Sequence, residues 1–162
     1  MPLARQLSGT ILSMDYSLNL PDTMMQPHTP YLLIADDDQD DRDLFTEAFI
    51  QQNPGYIVKH AAGGKAALQF LDTADELPVV LVLDYQMPDL NGPEVLQQLA
   101  TDPRYKHLVK VMWSTSRRIK DMEDCKKLGA AHYLVKPGDT KELHGIIHQM
   151  TAILDFAARS HD

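Results

Sequence analysis

From residue 31 onward the chain alternates between short apolar runs and longer stretches in which apolar residues recur at helical spacing. The runs near 31–35, 56–60, 79–83, 109–113 and 132–135 predict five strands. The first intervening stretch, about Asp40 to Asn53, predicts a helix with Leu44, Phe45, Ala48 and Phe49 inward, acids in its first turn and Pro54 as its stop. Shorter helices follow near 64–73, 92–100 and 117–128. A last one, Thr140 to Arg159, carries Leu143, Ile146, Ile147, Met150, Leu154 and Ala157 on one stripe. Strand and helix in strict alternation is the pattern of consecutive βα units, hence an α/β fold with a parallel sheet.

Residues 1–29 show no sustained period and contain Pro2, Pro21 and Pro27, so they read as a flexible leader ahead of a domain over 30–160 with an extended last helix. The open alternative is an arm docking through Leu18, Leu20, Met24 and Met25, and either Met24 or Met25 can be the true start. At 162 residues the chain fits one domain and leaves no room for a separate output module. A formal charge of -8 argues against a general nucleic-acid or anionic-membrane surface. One cysteine, Cys125, makes no internal disulfide, no zinc spacing occurs, and no 18-residue apolar segment or signal-peptide core is present. The expected location is cytoplasmic.

Charge enters this pattern where strands run out. Asp84 closes the run Val79-Val80-Leu81-Val82-Leu83, Asp36 and Asp37 close the first run, and Lys136 closes the last just before Pro137. The carboxyl ends of strands in an open parallel sheet form the ligand crevice, so these four residues converge. Six of the eight residues from Asp36 to Asp43 are aspartates, and Asp40, Asp41 and Asp43 read simply as first-turn helix acids. Asp36 and Asp37 differ, because two unit charges about 4 Å apart repel by roughly 4 kcal/mol at a surface-like dielectric. With Asp84 and Lys136 the local charge is about -2, which one divalent cation neutralises. Magnesium suits an all-oxygen site that includes a backbone carbonyl, most simply that of Gln86; calcium lacks its ligand-dense loop. A carboxylate beside magnesium and a lysine can accept a phosphoryl group, and Asp84, alone on the central strand, is the acceptor of choice. Ser114, Thr115 and Ser116 end the fourth strand with hydroxyls; Ser114 suits a phosphoryl oxygen and Ser116 the N-cap of the next helix.

Four segments in this order resemble the receiver domain of two-component response regulators. They are Leu32-Leu33-Ile34-Ala35-Asp36-Asp37-Asp38, Leu83-Asp84-Tyr85-Gln86-Met87-Pro88-Asp89-Leu90-Asn91-Gly92, Val111-Met112-Trp113-Ser114-Thr115-Ser116 and Gly129-Ala130-Ala131-His132-Tyr133-Leu134-Val135-Lys136-Pro137. The resemblance covers residues 31 to about 150 and is to the stand-alone type of chemotaxis and phytochrome regulators. It implies a flavodoxin-like, doubly wound (βα)5 fold with five parallel strands in the order 2-1-3-4-5. It also implies Asp84 as phosphoacceptor, Asp36 and Asp37 with Asp84 and the Gln86 carbonyl as Mg2+ ligands, Ser114 as switch hydroxyl, Tyr133 as switch aromatic, Lys136 as the site lysine, and a cis peptide before Pro137. The implied partners are a histidine kinase or histidine phosphotransfer protein and an unknown downstream protein. The chain departs from the usual pattern at Ser114, in place of threonine, and at Tyr85, in place of an aliphatic residue.

Other features have plainer readings. His144 and His148, one turn apart, lack a third ligand for a metal; Cys125 reads as a packed structural thiol. The fourth helix is basic, with Arg117, Arg118, Lys120, Lys126 and Lys127, and reads equally as a solvated face or a partner surface. Phe156 points away from the last helix's stripe, which suggests self-association or partner contact over the fourth-helix to last-helix face. The leading expectation is a non-enzymatic phosphorylation switch. A phosphatase of the haloacid-dehalogenase type needs a second acid where Gln86 stands, and a flavodoxin-like cofactor binder needs a phosphate-cradling loop where this chain has carboxylates.

Overall fold

The computed structural model describes residues 28–160. The elements run β1 (Tyr31–Ala35), α1 (Gln39–Gln52), β2 (Ile57–Ala61), α2 (Gly64–Thr73), β3 (Val80–Asp84), α3 (Gly92–Ala100), a 3-10 turn (Pro103–Tyr105), β4 (Val109–Ser114), α4 (Ile119–Lys127), β5 (His132–Val135) and α5 (Thr140–Arg159). All five strands are parallel, in the order β2-β1-β3-β4-β5, so the fold is the doubly wound, flavodoxin-like (βα)5 arrangement expected. The leader expected over 1–29 lies, up to residue 27, outside the described residues.

The central strands are mostly apolar because both of their faces are covered; Lys110 within β4 is a buried exception, and its Nζ donates to the Tyr105 carbonyl at 3.1 Å. Leu32, Ile34, Val80, Val82, Val111 and Trp113 point toward α1 and α5, where they meet Phe45, Phe49, Leu143, Ile147 and Leu154. Leu33, Leu81, Leu83 and Met112, the alternate positions, point toward Leu71, Val95, Leu96, Leu99 and Cys125 on α2, α3 and α4. Edge strand β2 is mostly exposed, which is why its run contains Lys59 and His60.

Local signals set the helix ends. Asp38 caps α1 by accepting from the backbone of Asp40 and Asp41, and Asn91 with Glu94 forms a capping box on α3. Several expectations need correction. Leu44 is 51% exposed: the inward stripe of α1 is centred on Phe45, Ala48 and Phe49, and Leu44 falls on its flank. Ser116 is not the cap of α4, which begins at Ile119 with Arg118 as N-cap; the Ser116 hydroxyl is taken up by Asp121 instead. The described chain has no cis peptide, so the bond before Pro137 is trans, the form X–Pro bonds favour by about 0.5–1 kcal/mol. The 3-10 turn was not anticipated: Asp102 caps it over Pro103, a three-residue signal too short for a periodicity test.

Gly92 marks a tight approach at the sheet's carboxyl edge. A Cβ there would lie 2.5 Å from the Asp84 carbonyl oxygen and 2.5 Å from the Met112 methyl, so α3 starts this close to β3 only because the side chain is missing. Gly92→Ala should therefore cost about 1–3 kcal/mol in denaturant unfolding, since backbone rather than a flexible side chain must move. An unchanged midpoint would show that the β3–α3 loop has slack.

Candidate functional site

Strand geometry alone puts Asp36, Asp84 and Lys136 on one face. Each stands two residues beyond a side chain packed under α1 and α5, namely Ile34, Val82 and Leu134. Because side chains alternate along a strand, each therefore points to that same side. The ladder holds them there: Asp36 N–H donates to the Ala61 carbonyl (3.2 Å), Tyr85 N–H to the Trp113 carbonyl (3.1 Å) and Lys136 N–H to the Ser114 carbonyl (2.7 Å).

Lys136 is the hub. Its Nζ lies 2.8 Å from Asp36 Oδ2, 2.9 Å from Asp41 Oδ2 and 3.1 Å from Asp84 Oδ1. Asp36 is fully buried; its other oxygen accepts the Asp38 N–H at 2.9 Å, and its backbone carbonyl accepts from Arg42 Nη1 at 2.6 Å. Asp37 is exposed at the rim. One ligand oxygen from each of Asp36, Asp37 and Asp84 lies within 4.8 Å of the others, the one such cluster of metal-ligating side chains among the described residues. His144 and His148 are exposed on α5.

Burial dominates the electrostatics of Asp84. Desolvation pushes its carboxyl up to about 6, the Lys136 ammonium pulls it back, and the charges of Asp36 and Asp37 add to the rise. Burial also pulls Lys136 down, but hydrogen bonds to Asp36 and Asp41 and the charge of Asp84 outweigh it and hold the ammonium above its usual value. The lysine is thus locked in its charged form, while burial makes ionisation of Asp84 costly.

Asp41 is the partner of Lys136 that the sequence does not single out, since it reads there, with Asp40 and Asp43, as a first-turn acid. A signal was present. Asp41 stands four residues before Phe45, and so on the helix's inward stripe, at the end where α1 leaves the sheet's carboxyl edge. Asp89 is a second unassigned contributor. Its carboxylate accepts from Gly64 N (3.2 Å), Lys65 N (3.1 Å) and Leu90 N (2.8 Å), tying the loop after β3 to the start of α2. These three N–H groups outweigh a slight burial cost and hold its pKa below the ordinary range.

Ser114 is buried, and its Oγ accepts the Ser116 N–H at 3.0 Å. The Ser116 hydroxyl donates to Asp121 Oδ2 at 2.6 Å, and Tyr133 OH donates to the Ser116 carbonyl at 3.0 Å. A continuous set of hydrogen bonds therefore runs from the end of β4 to the first turn of α4 and to β5. Trp113, the register partner of Asp84, packs edge-on against Phe45 with ring centroids 5.5 Å apart. It lies in the core beneath the acids and not in the crevice. Gln86 is exposed in the loop after β3. Cys125 is buried, and desolvation pushes its thiol up to about 11, well away from reactivity.

Residues 32–148 match the family model described as the response regulator receiver domain. An uncharacterized 14.6 kDa protein of Leptolyngbya boryana is 34% identical over 118 residues, 73% of this chain and 87% of the relative. The two-component response regulator ORR12 of Oryza sativa subsp. japonica is 28% identical over 120 residues, 74% of this chain and 97% of the relative. Among solved structures, the Mn2+-bound form of response regulator Rcp1 superposes with a TM-score of 0.68 at 24% identity, over 75% of this chain and 91% of that one.

The raised carboxyl of Asp84 sets a pH dependence. Its unfolded pKa is near 3.8 and its folded value about 6, so between these the folded state retains a proton that the unfolded state has released, and stability falls as pH rises. Asp84→Asn should remove this loss. In chelator, the variant is expected to be more stable than the parent by about 2 kcal/mol at pH 7.5, with the gain shrinking toward zero near pH 4. Denaturant titrations at both pH values measure it; an equal gain at both would mean Asp84 titrates normally.

Proposed function

The chain belongs to the response regulator receiver domain family, and from that membership we propose that Asp84 accepts a phosphoryl group from a phosphohistidine and that the resulting charge is read at the chain's own surface. The observation that carries this reading is the Lys136 ammonium set among Asp36, Asp41 and Asp84 with Asp37 at the rim. An Asp84 oxygen attacks phosphorus in line; the new O–P bond forms as the P–N bond to the donor imidazole breaks, and that nitrogen keeps the electron pair. Phosphoryl transfer of this kind depends on positioning and charge neutralisation, and this site's residues are arranged for both.

A divalent cation fits the donor set, since three carboxylate oxygens close enough to share one ion are all hard ligands. Asp36, Asp37 and Asp84 would hold Mg2+, with the Gln86 carbonyl, two residues beyond the acceptor, completing the protein's contribution. Bound there, Mg2+ supplies charge neutralisation for the phosphoryl oxygens and favours the ionised, nucleophilic form of Asp84. The Mn2+ of Rcp1, a protein of the same fold, is in keeping with this chemistry.

Lys136 pairs with a phosphoryl oxygen, and the Ser114 hydroxyl, one residue beyond the register partner of Asp84, donates to another. As the Ser114 oxygen turns toward that charge it gives up the Ser116 N–H, and the β4–α4 loop loses one of its ties. Tyr133 and Asp121, bonded to the same Ser116, relay the change to β5 and α4. The donor is a histidine kinase or phosphotransfer protein in the cytoplasm, and the output face is α4–β5–α5, where Ile119 is 72% and Phe156 74% exposed. Receiver domains are phosphoacceptors rather than turnover enzymes, and Gln86 offers no second carboxylate for ester hydrolysis.

Incubation with a small phosphodonor in Mg2+ should label the parent chain once and Asp84→Asn not at all, with labelling followed by intact mass. Undiminished labelling of the variant would sink the assignment. Beryllofluoride with Mg2+ should also change Trp113 fluorescence, because the indole shares its backbone register with Asp84.

A further inference from the structure

We propose, resting on the phosphoacceptor reading above, that Asp41 is a positioning residue that competes with the phosphoryl group for Lys136 and is the partner the ammonium releases when Asp84 is phosphorylated. An ammonium has three N–H donors, and three carboxylates already lie within 3.1 Å of Lys136 Nζ. A phosphoryl oxygen on Asp84 that draws the ammonium to itself therefore competes with the two carboxylates that Lys136 hydrogen-bonds, Asp36 and Asp41.

Differences in burial decide which one. Asp36 is fully buried, so no water can replace the bond its Oδ2 would lose with the ammonium, and that loss is costly. Asp84 carries the incoming group and stays where β3 puts it. The Asp41 side chain is 44% exposed, so water can take over the bond that Lys136 gives up. Asp41 also sits in the first turn of α1, anchored by a helix whose inner face is packed with Phe45, Ala48 and Phe49. Its carboxylate is thus a fixed rest position for the lysine and not a mobile counter-ion. The charge of Asp41 works in opposite senses on the two ligands of the site: it attracts the cation and opposes the anionic phosphoryl group.

That opposition gives a test with an internal control. Asp40 is the neighbouring first-turn acid of the same helix, exposed and not among the partners of Lys136. Asp40→Asn therefore reproduces the loss of a helix-dipole charge without touching the lysine. Affinities for Mg2+ alone, and for beryllofluoride in saturating Mg2+, are read by Trp113 fluorescence, with thermal melts alongside. Asp41→Asn is expected to weaken Mg2+ binding and tighten beryllofluoride binding, each by roughly three- to tenfold. Asp41→Ser, which keeps a short oxygen for the helix start, is expected to give the same pair of signs. Asp40→Asn is expected to stay within about twofold of the parent on both. Shifts of the same sign for the two ligands, or equal behaviour of the Asp40 and Asp41 variants, would overturn the role of Asp41. Absence of any beryllofluoride binding by the parent chain would instead overturn the phosphoacceptor reading and this inference with it.

Discussion

Carboxylates crowded at the carboxyl edge of a parallel sheet repel one another, and the Lys136 ammonium allows them to stay there. With Nζ within 3.1 Å of Asp36, Asp41 and Asp84, the lysine joins the ends of β1 and β3 to the first turn of α1 through charge. The surrounding fold serves this arrangement. The ladder bonds that extend β1 and β5 by one residue, to Asp36 and Lys136, fix both partners against rotation. Two-sided packing of the central strands leaves no alternative register, since a slip by one residue would turn the acids toward the opposite layer of helices.

The same constraint explains the chemistry. Burial makes ionisation of Asp84 costly, with its carboxyl near 6, while Lys136 remains charged. The charges around Asp84 are only partly offset by Lys136, so added positive charge at the rim would favour its ionised form. A group that is uncomfortable as a bare anion is one whose modification changes the local balance most. One residue beyond the register partner of Asp84 stands Ser114, whose acceptor bond from Ser116 is the first of a set leading to Asp121 on α4 and Tyr133 on β5. The loop carrying Gln86 is held from the other side, by Asp89 bridging to α2 and by the close approach of Gly92 to Asp84. The loop after β3 and the loop after β4 are thus held by separate sets of hydrogen bonds.

Much of this was legible in the chain. Apolar runs separated by helical spacing led to the α/β class and to strands within a residue or two of those observed, because burial on both faces favours apolar side chains at successive positions. Asp36, Asp84 and Lys136 were legible as a set because all three close such runs. Errors arose where the decisive contact was not local. Leu44 looked like part of the inward face of α1, yet the face is set by what packs against it, and the sheet and α5 select Phe45, Ala48 and Phe49. Ser116 looked like a helix cap by residue type, but Asp121 claims its hydroxyl and the helix begins later. Asp41 was read as one of several solvated acids, when its place on the inward stripe turns it toward Lys136.

By itself, then, the sequence determined the fold class and the convergence of strand-end charges, since these follow from hydrophobic periodicity and from where charge interrupts it. The tertiary structure alone decided that two of six neighbouring aspartates, Asp36 and Asp41, meet the lysine, how far Asp84 is desolvated, and which hydroxyl and carbonyl join the end of β4 to α4 and β5. The reason is physical. Periodicity is a property of a segment and survives in the one-dimensional chain, whereas a pKa, an ion pair across 95 residues or the exposure of a single carboxylate is set by the neighbours that packing brings together.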